Sequence, residues 1–298
     1  MAVIRHAYSL QPLPPTSTQF TRMSKRRAHN GHPYSAMTEW DASDYARLSG
    51  LQQAMAEEVL SLLTLRGSER VLDVGCGNGK ITAEIADRLP LGAVVGVDSS
   101  SEMIAFAVSH FDSVPKQNLR FDVADARQLP FHGEFDLVVS FNALHWIPEQ
   151  DEALGSLCAA MKQDGVAQLR LVPAGRRKSL ENVIEETRLS PRWCRYFQSF
   201  HDPYLHLTPE QYAAAAERNG LRVLRVHTQD KAWDFVSRSA FLAFGSVTFV
   251  EWTQHLPEPE RLKFVADVLD HYRAVAADHP GEANTFKFYQ MDITLARG

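Results

Sequence analysis

The sequence predicts an α/β fold: a seven-stranded, mostly parallel sheet with helices on both faces and a helical cap. Three observations lead there. Short apolar strands alternate with amphipathic helices from residue 70 to residue 172. The first of those strands runs straight into a glycine-rich turn, Gly75-Cys76-Gly77-Asn78-Gly79, that opens the next helix. After Pro173 the alternation stops, and an aromatic and helical region surrounds two further strands.

The elements follow in order. Residues 1–38 hold no Asp or Glu, carry Arg5, Arg22, Lys25, Arg26 and Arg27, and group Pro12, Pro14 and Pro15. This stretch reads as a flexible tail; an acid-poor, Arg-containing start is also compatible with an organelle import signal. Order is expected from about Trp40, giving one domain over residues 39–298. Ala54, Met55, Val59, Leu60, Leu62 and Leu63 fall at helical spacing. Strands are predicted at Arg70–Val74, Ala93–Val97, Leu119–Val123, Phe135–Ser140 and Val166–Val172. Ile81, Ile85 and Leu89 mark the first intervening helix, Ser100 caps the second, and Pro148 is placed in the first turn of the third. Thr208-Pro209-Glu210 is a helix start and Asn219-Gly220 its stop. Leu221–His227 supplies a sixth strand, residues 235–280 are helical, and Phe286–Leu295 is the seventh strand. Cap segments are expected at about 39–65, 174–216 and 235–283.

Composition narrows the class. Of 298 residues, 45% are hydrophobic and 22% charged, which excludes global disorder. The formal net charge of -5 argues against a dedicated nucleic-acid binder. No apolar run reaches the ~18 residues of a membrane span. Cys76, Cys158 and Cys194 have no CxxC spacing and point to a reducing compartment, the cytoplasm. The histidines show no ligand spacing, so no metal is assigned. Oligomeric state cannot be read.

The chemistry concentrates at the glycine turn. Alternate glycines let the chain turn sharply, and the helix that follows directs free N–H groups at a ligand. Nineteen residues after Gly79, Asp98 closes the second strand, where an acid can accept from ribose hydroxyls. The spacing is G-x-G-x-G rather than the G-x-G-x-x-G of a pyrophosphate site, and Asp73 precedes it. An acid at that place repels a pyrophosphate and suits a cationic ligand such as S-adenosylmethionine. A nicotinamide cofactor is disfavoured by the same spacing.

With these motifs the sequence resembles the class I S-adenosylmethionine-dependent methyltransferases, which have a Rossmann-like fold. The resemblance is good over about 40–172 and looser beyond. It implies S-adenosyl-L-methionine as cofactor, bound by Asp73, Gly75, Gly77, Asp98, Ser99, Met103, Asp125, Ala126, Phe141 and Asn142. In that reading Asp125-Ala126 meets the adenine amino group, Met103 packs on adenine, and Phe141-Asn142 borders the methyl-transfer site. Lys162-Gln163-Asp164-Gly165 stands where the family has a proline and two glycines.

Two subgroups resemble the chain more closely. Tyr45-Ala46-Arg47-Leu48-Ser49-Gly50-Leu51-Gln52, Ala143-Leu144-His145-Trp146-Ile147 and Trp193-Cys194-Arg195-Tyr196-Phe197 look like juvenile hormone acid methyltransferases. Trp40-Asp41 and Leu256-Pro257-Glu258-Pro259-Glu260-Arg261 resemble trans-aconitate methyltransferases. Both esterify small carboxylic acids, which implies a small-molecule acceptor and carboxyl O-methylation; another acceptor, or binding without turnover, stays open. The resemblance implicates Gln52 and Trp146. Gln52 is either a solvent-facing amide or a donor to an acceptor oxygen. Trp146 is a wall or an N–H donor. His145 is a packing residue, a donor, or a base if the acceptor must lose a proton. The cluster Arg192, Trp193, Arg195, Tyr196, His201, Tyr204 and His206 either roofs an anion pocket or packs and solvates; the second is preferred for most of its members.

Overall fold

A computed structural model describes residues 49–111 and 117–298; the side chains of residues 49–54 and 56 lie outside that description. The expectations for the tail, for Trp40-Asp41 and for Tyr45–Leu48 fall outside it as well. Among the described residues no helix is long and apolar enough to cross a membrane.

The chain begins with helix α1 (Ser49–Leu62) and continues β1 (Arg70–Val74), α2 (Lys80–Asp87), β2 (Ala93–Asp98), α3 (Ser101–Phe111), β3 (Leu119–Val123), β4 (Phe135–Phe141), α4 (Gln150–Ala160) and β5 (Met161–Leu171). Then come α5 (Leu180–Arg188), α6 (Pro209–Arg218), β6 (Leu221–Asp234), α7 (Arg238–Thr248), α8 (Val250–Thr253), α9 (Glu258–Ala276) and β7 (Thr285–Arg297). The seven strands form one sheet in the order β3-β2-β1-β4-β5-β7-β6. β1 to β5 are parallel, and β7 runs antiparallel to both β5 and β6. The order reverses between β1 and β4, which opens a crevice at the carboxyl ends of those strands.

Strand alternation separates two faces. Leu72, Val74, Val138, Leu169, Met291 and Ile293 point to one, where α4 and α6 cover them with Leu154, Leu157, Tyr212 and Ala216. Val71 and Val139 point to the other, against Leu60 of α1 and Ile85 and Ala86 of α2. Towards β5 and β7 that second face meets a separate aromatic core from α5, α7, α8 and α9, including Trp193, Phe241, Trp252, Phe264, Tyr272 and Phe288. Helix α6, expected in the cap, therefore lies on the opposite side of the sheet.

Three of the boundaries that differ from expectation have a local reason. β6 runs seven residues past His227 because it is an edge strand, and its exposed Thr228–Asp234 half carries no apolar pattern. β5 starts at Met161: its register with β4 shifts between the pairs Phe135↔Met161 and Leu137↔Val166, so Lys162–Gly165 is a bulge within the strand. α4 starts at Gln150 rather than Pro148, because the Gln150 side chain turns back to donate to the carbonyls of Leu144 and Ile147. The caps at Ser100 and Thr208 form as read: Met103 N–H donates to Ser100 Oγ, and Thr208 exchanges a capping box with Gln211.

A buried ion network ties α1 to the sheet. Arg170 on β5, 1% exposed, donates to both carboxylate oxygens of Asp292 on β7, at 2.6 and 2.8 Å. Its Nη1 lies 3.3 Å from Glu58 of α1, and Glu58 also accepts from Lys231 of β6. Burial alone would raise the Glu58 pKa; Lys231 and Arg170 together hold it below the usual carboxylate range. Removing one partner leaves the guanidinium without compensation. Asp292→Ala should therefore lower the unfolding free energy in urea by about 3 kcal/mol. The double variant Arg170→Met/Asp292→Leu should recover most of that loss.

Candidate active site

The glycine turn lies where β1 meets α2, above the crevice. All three glycines are left-handed, with φ of 76° at Gly75, 53° at Gly77 and 78° at Gly79. Their reasons differ. A Cβ on Gly75 would fall 2.2 Å from Ala143 Cβ, and one on Gly79 would fall 2.7 Å from Ala107 and Phe121. At those two positions the missing Cβ lets protein pack on protein. Only Gly77 faces open space, with nothing within 4 Å of an added Cβ. The turn is moored to β2: the N–H groups of Gly75 and Cys76 both donate to the Val97 carbonyl.

Asp98 closes β2 beside that space. Its Oδ2 accepts from Gly77 N–H at 2.9 Å and its Oδ1 from Ser100 N–H at 2.9 Å. The carboxylate thus ties the glycine turn to the start of the next helix, beside the open space at Gly77. Ser99 is half-buried next to it, whereas Met103 is buried, at 4% exposure.

Asp73 lies beneath the turn and is enclosed. Thr82 of α2 donates its hydroxyl to Asp73 Oδ2 at 2.7 Å. Burial pushes the Asp73 pKa up to about 7, against the pull of the Thr82 hydrogen bond, and the nearby Asp98 charge adds to the rise. At neutral pH the carboxyl is thus poised between its two forms, and a cation above the turn would favour the ionised one.

Asp125 stands after β3. Its Oδ1 accepts from Arg127 N–H at 2.9 Å, and the Arg127 guanidinium bridges both oxygens. Burial would raise its pKa, but these contacts hold it below the usual carboxylate range. Ala126 is buried in the main core.

The crevice continues at the ends of β4 and β5. Phe141 is half-buried against the α1–α2 side. Asn142 is left-handed, with φ 57°, an uncommon state for a side chain larger than glycine. Its N–H donates to the Arg170 carbonyl and its Nδ2 to Met55 Sδ at 3.7 Å, while its Oδ1 is buried without a hydrogen-bond partner among the described residues. Gln52 lies three residues before Met55 in α1, and its side chain is outside the described residues.

His145 and Trp146 sit in a 3-10 turn, Leu144–Trp146. His145 is buried, its pKa is pushed down to about 3 by burial, and its Nδ1 accepts from Val172 N–H at 3.3 Å. The ring is therefore neutral, with its proton on Nε2. Trp146 stacks edge-on against Tyr204, centroids 5.1 Å apart, and against Trp252 at 6.1 Å. Of the Arg192–His206 cluster, Tyr204 reaches this wall. The others engage elsewhere: Arg192 and Trp193 share Asp267, Arg195 meets Tyr196, and His206 pairs with Asp202.

The comparisons with known proteins agree with this site. Residues 71–165, which carry the turn, Asp98 and Asp125, match the family described as "Methyltransferase domain". A trans-aconitate 2-methyltransferase of Deinococcus radiodurans is 30% identical over 270 residues, covering 87% of this chain and 98% of that protein. The chain belongs to the class I S-adenosylmethionine-dependent methyltransferases. A malonyl-[acyl-carrier protein] O-methyltransferase of Geobacter sulfurreducens is 31% identical over 67% of this methyltransferase and 74% of its own length. Among solved structures, the YcgJ protein of Bacillus subtilis matches with a TM-score of 0.58 at 17% identity, covering 83% of this chain and 99% of that one. A phosphoethanolamine N-methyltransferase 2 of Haemonchus contortus, with S-adenosylhomocysteine, matches at 0.57 and 16% identity over 86% of this chain and 57% of its own.

S-adenosylmethionine is the methyl donor, and the residues present fit it: an open left-handed glycine, a strand-end acid beside it and a raised-pKa carboxyl below. Sequence reasoning missed Thr82, Met55, Tyr204's separate role, and the Arg170 network that places α1. None carries a local signature. Two measurements test the site. Gly77→Ala should leave the methyltransferase folded, with a stability loss of about 1 kcal/mol, yet weaken S-adenosylmethionine binding at least tenfold by calorimetry; Gly75→Ala should instead unfold the β4 end. Asp73 predicts a pH dependence. Its carboxyl is protonated below pH 7 in the free enzyme and ionised with the cation bound, so binding releases a proton. Affinity should rise by up to about tenfold per pH unit towards pH 7 and level off above, and Asp73→Asn should remove that component.

Proposed function

We propose that this methyltransferase esterifies a carboxylate oxygen of a small molecule. The observation that carries the reading is the state of His145. It is neutral, and its one lone pair is already taken by Val172 N–H, so it is not available as a general base. A phenol or amine must lose a proton during transfer; a carboxylate is already ionised near pH 7. The relatives support this, since their names give trans-aconitate and a malonyl group as acceptors.

When bound, S-adenosylmethionine supplies a methyl group on a sulfonium for in-line displacement by an oxygen. The chain's own task is then to position the two reactants and keep water out. Gly77 and Asp98 hold the ribose side, with Asp73, Gly75 and Ser99 completing the turn; Met103, Asp125 and Ala126 take the adenine; Phe141 and Asn142 border the methyl group. Gln52 donates to an acceptor oxygen, Trp146 walls the acceptor, and His145 offers an Nε2 proton. The compartment that fits is the reducing cytoplasm, with Cys76, Cys158 and Cys194 all free thiols.

A panel of carboxylic acids, phenols and amines, read by mass spectrometry, tests the reading. The expected product is a methyl ester. Gln52→Ala should cost about 1–3 kcal/mol in kcat/KM with cofactor affinity intact, and His145→Ala should cost less. Turnover abolished by His145→Ala, with a methylated phenol or amine as product, would overturn it.

A further inference from the structure

Gln290 of β7 is fully buried, and neither its Oε1 nor its Nε2 has a hydrogen-bond partner among the described residues. A buried primary amide with both ends unpaired destabilises the fold, so native structures rarely keep one without a ligand or water for it. Its place identifies what it can meet. Strand alternation puts Gln290 on the same face as Phe288 and Asp292, the face under α1 and the aromatic cap. The β5 register Leu171↔Met291 makes Val172 its lateral neighbour. Val172 donates its N–H to His145, and its carbonyl receives the Tyr204 hydroxyl at 3.5 Å. Asn142, another amide at this end of the sheet with an unpaired buried oxygen, reaches the same strand through the Arg170 carbonyl. Gln290 therefore lies at the acceptor end of the crevice, one strand beyond the residues already placed there.

The polar neighbours on this face are engaged with one another rather than with Gln290. Both Asp292 oxygens accept from Arg170, and Lys231 donates to Glu58. Among the described residues, the charges of Arg170 and Lys231 are balanced by Asp292 and Glu58, although Arg170 Nη1 makes no hydrogen bond, and the aromatic core on this face includes Trp146, Tyr204, Trp252 and Phe288.

We propose that Gln290 is a specificity-determining residue: its amide N–H donates to the carboxylate of the acceptor, which is a monocarboxylate on an apolar body. The proposal rests on the carboxyl-methylation reading and adds how that carboxylate is held, by a neutral amide in an aromatic pocket rather than by a free cation. A tricarboxylate would bury two further charges against a mostly aromatic surface whose cations are already paired with Asp292 and Glu58, at a desolvation cost.

The test uses the full chain with S-adenosylhomocysteine bound. Decanoate and trans-aconitate are titrated by calorimetry, and methyl esters are assayed in parallel with S-adenosylmethionine. Decanoate should bind more tightly than trans-aconitate. Gln290→Met should weaken decanoate binding at least tenfold and raise its KM without a matching loss of kcat. The same variant should leave S-adenosylhomocysteine affinity unchanged and keep or raise the melting temperature of the free enzyme, since it removes an unpaired amide. An unchanged decanoate affinity, or a lowered melting temperature with no effect on the acceptor, overturns the proposal and makes Gln290 the holder of a structural water. Preference for trans-aconitate, or binding of neither acid, also overturns it. Gln290-dependent decanoate binding without ester formation leaves the proposal standing and removes carboxyl methylation instead.

Discussion

Arg170 joins three elements that are far apart in sequence. From β5 it grips Asp292 on β7 with two hydrogen bonds and faces Glu58 on α1, which in turn holds Lys231 on β6. A charge this deeply buried is tolerated only while its partners stay in place. The position of α1 is thereby set, and much of the active site follows from it. Met55 reaches Asn142 because α1 lies across the sheet, and the space between the glycine turn and the aromatic cap is bounded on that side by the same helix.

Burial acts on two site residues with opposite chemical results. At Asp73 it raises the pKa to about 7, so the acid can become charged when a cation arrives. At His145 it lowers the pKa to about 3, which fixes a neutral ring, and Val172 then decides which nitrogen carries the proton. The first suits the binding of a positive methyl donor. The second suits an acceptor that brings its own negative charge. Around them the fold accepts local cost: a left-handed Asn142 and unpaired amide atoms at Asn142 and Gln290. Asn142 and Gln290 both lie at the end of the sheet where the acceptor is proposed to bind, and a bound acceptor would supply contacts the protein leaves unmade there.

Much of the frame was legible because its signals are local. Strand β1 into Gly75-Cys76-Gly77-Asn78-Gly79, Asp98 at the end of β2, the caps at Ser100 and Thr208, and the Asn219-Gly220 stop are each read within a few residues. The errors were local as well. The polar half of β6 looked like a loop because an edge strand need not alternate, and the bulge at Lys162–Gly165 hid the start of β5. The three glycines look alike in sequence. Only the packed structure shows that Gly75 makes room for Ala143 and Gly79 for Ala107 and Phe121, whereas Gly77 alone of the three faces open space.

The sequence by itself determined the class: a parallel α/β sheet, a glycine turn with an acid at the next strand end, and hence the methyltransferase family. Those are properties of short segments, in which backbone freedom and hydrophobic period are written directly. The acceptor end was decided by tertiary structure alone. Arg170, Glu58, Lys231 and Asp292 are scattered over more than two hundred positions, and none is remarkable in its own segment. Gln290 is one polar residue in a strand, indistinguishable from a solvent-facing glutamine until packing encloses it. The proton on His145 depends on a backbone N–H twenty-seven residues away. Charge pairing, burial and desolvation are set by which strands become neighbours, and the order β5-β7-β6 is a property of the folded sheet.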